Sequence, residues 1–170
     1  MITVRCTRKL YTYLELKPCE VLEETTSTLG DWYANLISTE AGDLIMFVNE
    51  RSLVTVAVPV MYRQDLMIHF RTRVVNLLNN IDIPMRVILK ESMHFSYVQI
   101  AKTASKSILG SMNDIAYHYQ VLGERTAYEE YLPLAEAEYR LSQMPSGLLD
   151  YRSPCDVAKE LLTGGGRRAN

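Results

Sequence analysis

Leu44-Ile45-Met46-Phe47-Val48 is apolar at every position, and a strand with no polar face must be covered on both sides. This run constrains the fold more than any other stretch, because it requires a sheet interior with packing above and below. Asn49-Glu50-Arg51-Ser52 follows as a turn, and Leu53-Val54-Thr55-Val56-Ala57-Val58 returns until Pro59 halts it. Ahead of the run, a strand from Trp32 to Ser38 turns through Glu40-Ala41-Gly42-Asp43. Connections this short join antiparallel neighbours, so the three segments predict a meander.

The flanking segments supply further strands and helices. Ile2, Val4 and Cys6 alternate with Thr3, Arg5 and Thr7, the period of a strand with one buried face. Thr7 then caps a short helix carrying Leu10, Tyr13 and Leu14, which ends before Pro18. Residues 18–30 read as a loop. Leu66, Phe70, Val74, Leu77, Leu78 and Ile81 share one helical face and predict a helix over 62–81. Arg86 to Lys90 and Phe95 to Ala101 read as strands, and Ser107 to Leu122 as a helix closed by Gly123 at its C-cap. Beyond it, Thr126 and Glu129 form a capping box, Pro133 interrupts, and Ser153-Pro154 starts a last helix that runs to Leu162. The expected fold is α+β: an antiparallel or mixed sheet of about five to six strands packed with helices over 1–123. A helical extension over 124–163 and a flexible tail over 164–170 complete the expectation.

Composition narrows the function classes. With 48% hydrophobic and 22% charged residues the chain is that of an ordinary globular protein. The net charge of −2 argues against wholesale binding to nucleic acid or membrane, yet it conceals a segregation. Residues 62–106 hold seven Lys/Arg against three Asp/Glu, whereas 107–162 hold four against nine. A basic middle suits an acidic partner or phosphates, and Arg63, Arg71, Arg73, Arg86 and Lys90 are its nucleic-acid-binding candidates. Cys6, Cys19 and Cys155 are odd in number and widely spaced, which suits reduced thiols in a cytoplasmic protein. No apolar run approaches the roughly 18–20 residues of a membrane span. Three scattered histidines without ligand spacing imply no metal site, and no motif implies a cofactor.

Two polar-rich stretches concentrate the chemistry: Leu29-Gly30-Asp31-Trp32-Tyr33-Ala34-Asn35-Leu36, and the segment from Ser107 through Asn113-Asp114 to His118. On a helix, Ser107, Ser111, Asp114 and His118 fall in one narrow stripe beside an apolar one. The stripe suggests a nucleophilic triad, but Ser111 and His118 stand about 10 Å apart along a helix axis, and a base must lie within about 3 Å of its nucleophile. Asp114 and His118, at i and i+4, are placed to pair. On the strand, Asp31, Tyr33 and Asn35 share one face and Trp32 the other. Trp32 reads as a core residue, and Asn35 as a group bonded to Asn113 or to backbone. An enzymatic site, hydrolase or nuclease-like, would need Asp31, Asn35, Asn113, Asp114 and His118 to converge in one pocket. Lys102, Thr103, Ser105, Lys106 and Ser107 precede or open the second helix, where free amides and the dipole favour an anion.

These stretches, with the hairpin from Phe47 to Pro59, the Lys102–Asp114 stretch and the Met144–Pro154 stretch, resemble a bacterial family of domains of unknown function. Its members carry LGDWYANL-like and KTxxxSxLGSMND-like signatures. The resemblance implies a shared fold and a bacterial, plasmid or phage origin, and it implies no mechanism. With no complete catalytic constellation, the leading expectation is a small binding or regulatory protein that works by contacting a protein partner.

Overall fold

The computed structural model describes residues 1–20, 23–126 and 134–164. Its centre is a five-stranded mixed sheet in the order β4-β3-β2-β1-β5, with β1 Ile2–Cys6, β2 Trp32–Thr39, β3 Gly42–Asn49, β4 Thr55–Pro59 and β5 Val98–Lys102. The antiparallel meander is β2-β3-β4. β1 slots between β2 and β5 and runs parallel to both, so each of those joins needs a crossover rather than a hairpin. Helices α1 Arg8–Tyr13, α2 Leu66–Asn80, α3 Met85–Ser92, α4 Lys106–Thr126, α5 Leu134–Gln143 and α6 Pro154–Thr163 cover the sheet. Among the described residues, no helix is long and apolar enough to cross a membrane.

Side-chain alternation on β3 builds the two layers that its composition requires. Ile45 and Phe47 join Leu10, Phe70, Ile88 and Ala158, from α1, α2, α3 and α6. Met46 and Val48 join Met112 and Tyr119 from α4 and Leu141 from α5 on the other face. The C-terminal helices α5 and α6 therefore each contribute to a core cluster. Trp32 lies in the first layer as expected, edge-on to Phe70 at 5.1 Å, while Phe47 stacks on Phe70 at 3.9 Å.

The first polar stretch and the hairpin are locked by one amide. Asn49 is 0% exposed. Its Nδ2 donates to the carbonyls of Leu29 and Asp31, and its Oδ1 accepts from Arg51 N–H, Ser52 N–H and the Ser52 hydroxyl. Gly30, at φ +81, lets the chain turn under this clamp, where a Cβ would stand 3.0 Å from Arg51 Nε.

Each sheet edge is interrupted by a contact from outside the sheet. The Asn49 N–H to Val54 carbonyl bond sets the phase of the β3–β4 ladder, so Thr55, Ala57 and Pro59 turn their backbone groups outward. Ala57 N–H donates to Glu138 on α5, and Pro59 has no N–H to offer. On β5, the outward carbonyl of Ile100 accepts Cys19 N–H at 2.8 Å.

Several expected boundaries shift. Arg86–Lys90 is not a strand but the middle of α3, because Ile88, Glu91 and Ser92 form a buried helical face and Glu91 accepts from Ser27, Thr28 and Leu29. The segment from Phe95 begins in a short 3-10 turn, Met93–Ser96, so the strand starts only at Val98. A 3-10 turn, Val60–Asp65, likewise replaces the first residues of the helix expected over 62–81. Gly123 does not end α4, which continues through it to Thr126. Thr126 closes that helix, while Glu129 and Pro133 of the expected capping box and break lie outside the described residues. Ser153 caps α6 by accepting Asp156 N–H, with Pro154 at the first helical position, and Gly164 ends it at φ 70. The rest of the expected tail, 165–170, lies outside the described residues.

Candidate functional site

The five residues of the enzymatic expectation do not meet. Asp31 accepts from Arg5 Nε at 2.8 Å and from the Thr25 hydroxyl at 2.6 Å. Thr25 also bonds Thr3, and Gln99 bonds both Thr3 and the Glu23 carbonyl. Residues 23–31 are thus stitched over the β1 and β5 end of the sheet by a closed polar network. Asn35 takes a hydrogen bond from the Thr7 hydroxyl at 2.7 Å rather than from Asn113, which is exposed on α4. Tyr33, between them, reaches the start of α4. Burial pushes its phenol above the ordinary value, while Arg5 and the amides of Ala104 and Ser105 pull the other way.

At the start of α4, where an anion was expected, one backbone amide is capped by the chain's own serine. Ser105 accepts Ile108 N–H as a cap and bonds the Ser107 hydroxyl at 2.9 Å. Lys102 gives its carbonyl to Arg5, and its side chain and that of Lys106 are exposed, as is Ser107. Thr103 is half-buried.

The polar stripe of α4 does border an open cleft of about 230 Å³. Ser111, Asp114 and His118 form one wall. Leu53, Thr55 and Leu141 make a buried floor, and Met144 and Ser146 form the facing rim. The Asp114–His118 pair expected from their spacing is not formed: among the described residues neither side chain belongs to an ion pair. Both line the cleft. Helix geometry identified this wall, whereas the floor and rim come from segments distant in sequence.

Beneath the same region lies a buried polar cluster that sequence reading missed. Glu138, 2% exposed, receives Ala57 N–H and Arg73 Nε and pairs with Arg73 Nη2 at 2.7 Å. Burial raises its carboxyl to about 7 against the pull of Arg73. Tyr119 is buried beside it, and burial together with the Glu138 charge holds its phenol well above the usual range. The only sequence signal was Arg73 on a largely apolar helix, four residues before Leu77.

The basic candidates consequently do not form one surface. Arg73 is committed to Glu138, and Arg63 donates to the Tyr13 hydroxyl. The other three gather around α3. At 100° per residue, Met85, Leu89 and Met93 make one row, exposed by 52%, 57% and 70%. Arg86 and Lys90 border that row on one side. Ser92 borders it on the other, and Arg71 reaches across from α2 to bond the Ser92 hydroxyl.

No curated protein matches the chain, and no solved structure matches it. The model of a domain of unknown function, DUF6933, matches residues 3–157. That span takes in both polar stretches, the hairpin, and the described helices through the first turn of α6, and the chain belongs to this family.

Proposed function

We propose that this domain is a binding module that docks another protein through the exposed face of α3, and that the docked segment is acidic and amphipathic. The observation that carries the reading is the Met85–Leu89–Met93 row, left open to solvent and rimmed by Arg71, Arg86 and Lys90. An apolar centre with a polar rim is the anatomy of a protein interface, and exposed methionines adapt to varied apolar partners. A nucleic acid would be tracked by cations along a groove. Here the cations flank an apolar row instead, which favours carboxylates set around apolar side chains.

The test is affinity capture from the host with three baits: the natural chain, Leu89→Glu with Met93→Glu, and Arg86→Glu with Lys90→Glu. The expected result is one protein held by the natural chain and lost by both variants, with an acidic, apolar segment cross-linked at α3. Capture that both variants retain, or recovery of nucleic acid instead, overturns the reading.

A further inference from the structure

The cleft along α4 has a lining that the α3 reading does not use. Asp114 is a carboxylate at its wall, with no ion-pair partner among the described residues. Among the described residues, no lysine or arginine lines the cleft with it. The same cleft is lined by His118 and by Ser111 and Ser146, whose hydroxyls can accept hydrogen bonds. The floor is apolar at Leu53 and Leu141. An ammonium group carries three donors and no acceptor, so it matches this rim, and a short alkyl stem matches the floor. An anion would meet the Asp114 carboxylate with no lysine or arginine of the lining to offset it.

We infer that the cleft binds a primary alkylammonium group, with the ammonium at Asp114 and the stem on the Leu53–Leu141 floor. Such a group is carried by free amines and by lysine side chains, and the experiment separates the two. Calorimetric titrations use n-butylammonium chloride, an acetylated and amidated lysine peptide, and sodium butyrate as the anionic control of similar length. The natural chain should bind n-butylammonium, the lysine peptide or both saturably, and butyrate not at all. Tighter binding of the peptide assigns the site to protein lysines, and tighter binding of the small amine to a metabolite. Asp114→Asn, an isosteric change at an exposed position, should weaken binding about tenfold or more while leaving the thermal midpoint unchanged. Absence of saturable binding by either amine, equal binding of butyrate, or an Asp114→Asn variant that binds like the natural chain overturns the assignment.

Discussion

Asn49 shows how one side chain holds separate stretches of sequence together. All its hydrogen-bonding capacity is used inside the fold, on the backbone of Leu29 and Asp31 and on its own turn. Asn49→Ala leaves the Leu29 carbonyl and two turn amides without a partner, while the Asp31 carbonyl keeps Glu50 N–H. Each such orphan costs about 1–3 kcal/mol, so the variant should lose about 3 kcal/mol or more in urea denaturation. A loss under about 1 kcal/mol would show that the clamp is dispensable. At this scale the sequence was partly legible. Trp32 was readable as core from its strand face. The fates of Asp31 and Asn35 were not, since their partners Arg5, Thr25 and Thr7 approach from other segments.

The elements divide by how local their determinants are. The meander could be read because β3 is apolar throughout and its turns are short, both properties of contiguous sequence. α3 could not. Val87-Ile88-Leu89 between Arg86 and Lys90 has the look of a strand, and what selects the helix is a distant contact, Glu91 accepting from Ser27, Thr28 and Leu29. Propensity yields to such tertiary partners. Glu91→Ala should therefore destabilise by about 3 kcal/mol, through two unpaired amides and a lost hydroxyl bond. Lys90→Ala, one residue away but exposed, should change stability by less than about 0.5 kcal/mol. Equal midpoints for the two variants would contradict this account of α3. The candidate site divides in the same way. Ser111, Asp114 and His118 follow from helix spacing, but the floor and the facing rim depend on how α5 and the 144–147 segment return to the sheet.

For the molecule as a whole, the buried carboxyl of Glu138 couples folding to pH. Its pKa is raised from 4.5 to about 7 in the fold. Between those values the folded state holds a proton that the unfolded chain has released. The contribution is complete below 4.5 and is lost as pH rises toward 7, at up to about 1.4 kcal/mol per pH unit. Urea midpoints of the natural chain should therefore fall relative to those of Glu138→Gln across that window. Parallel curves for the two proteins would show that the buried carboxyl titrates as an ordinary one. The same carboxylate occupies the outward amide of Ala57, next to a proline that has none, while Cys19 occupies Ile100 on the far side. The flanks of the sheet thus offer little template for another chain's strand. Strand-to-strand association through β4 is thereby disfavoured at Ala57 and Pro59, and through β5 at Ile100. A proteolytic cut that releases α5 would undo this protection and leave a fragment prone to fibrous aggregation along β4.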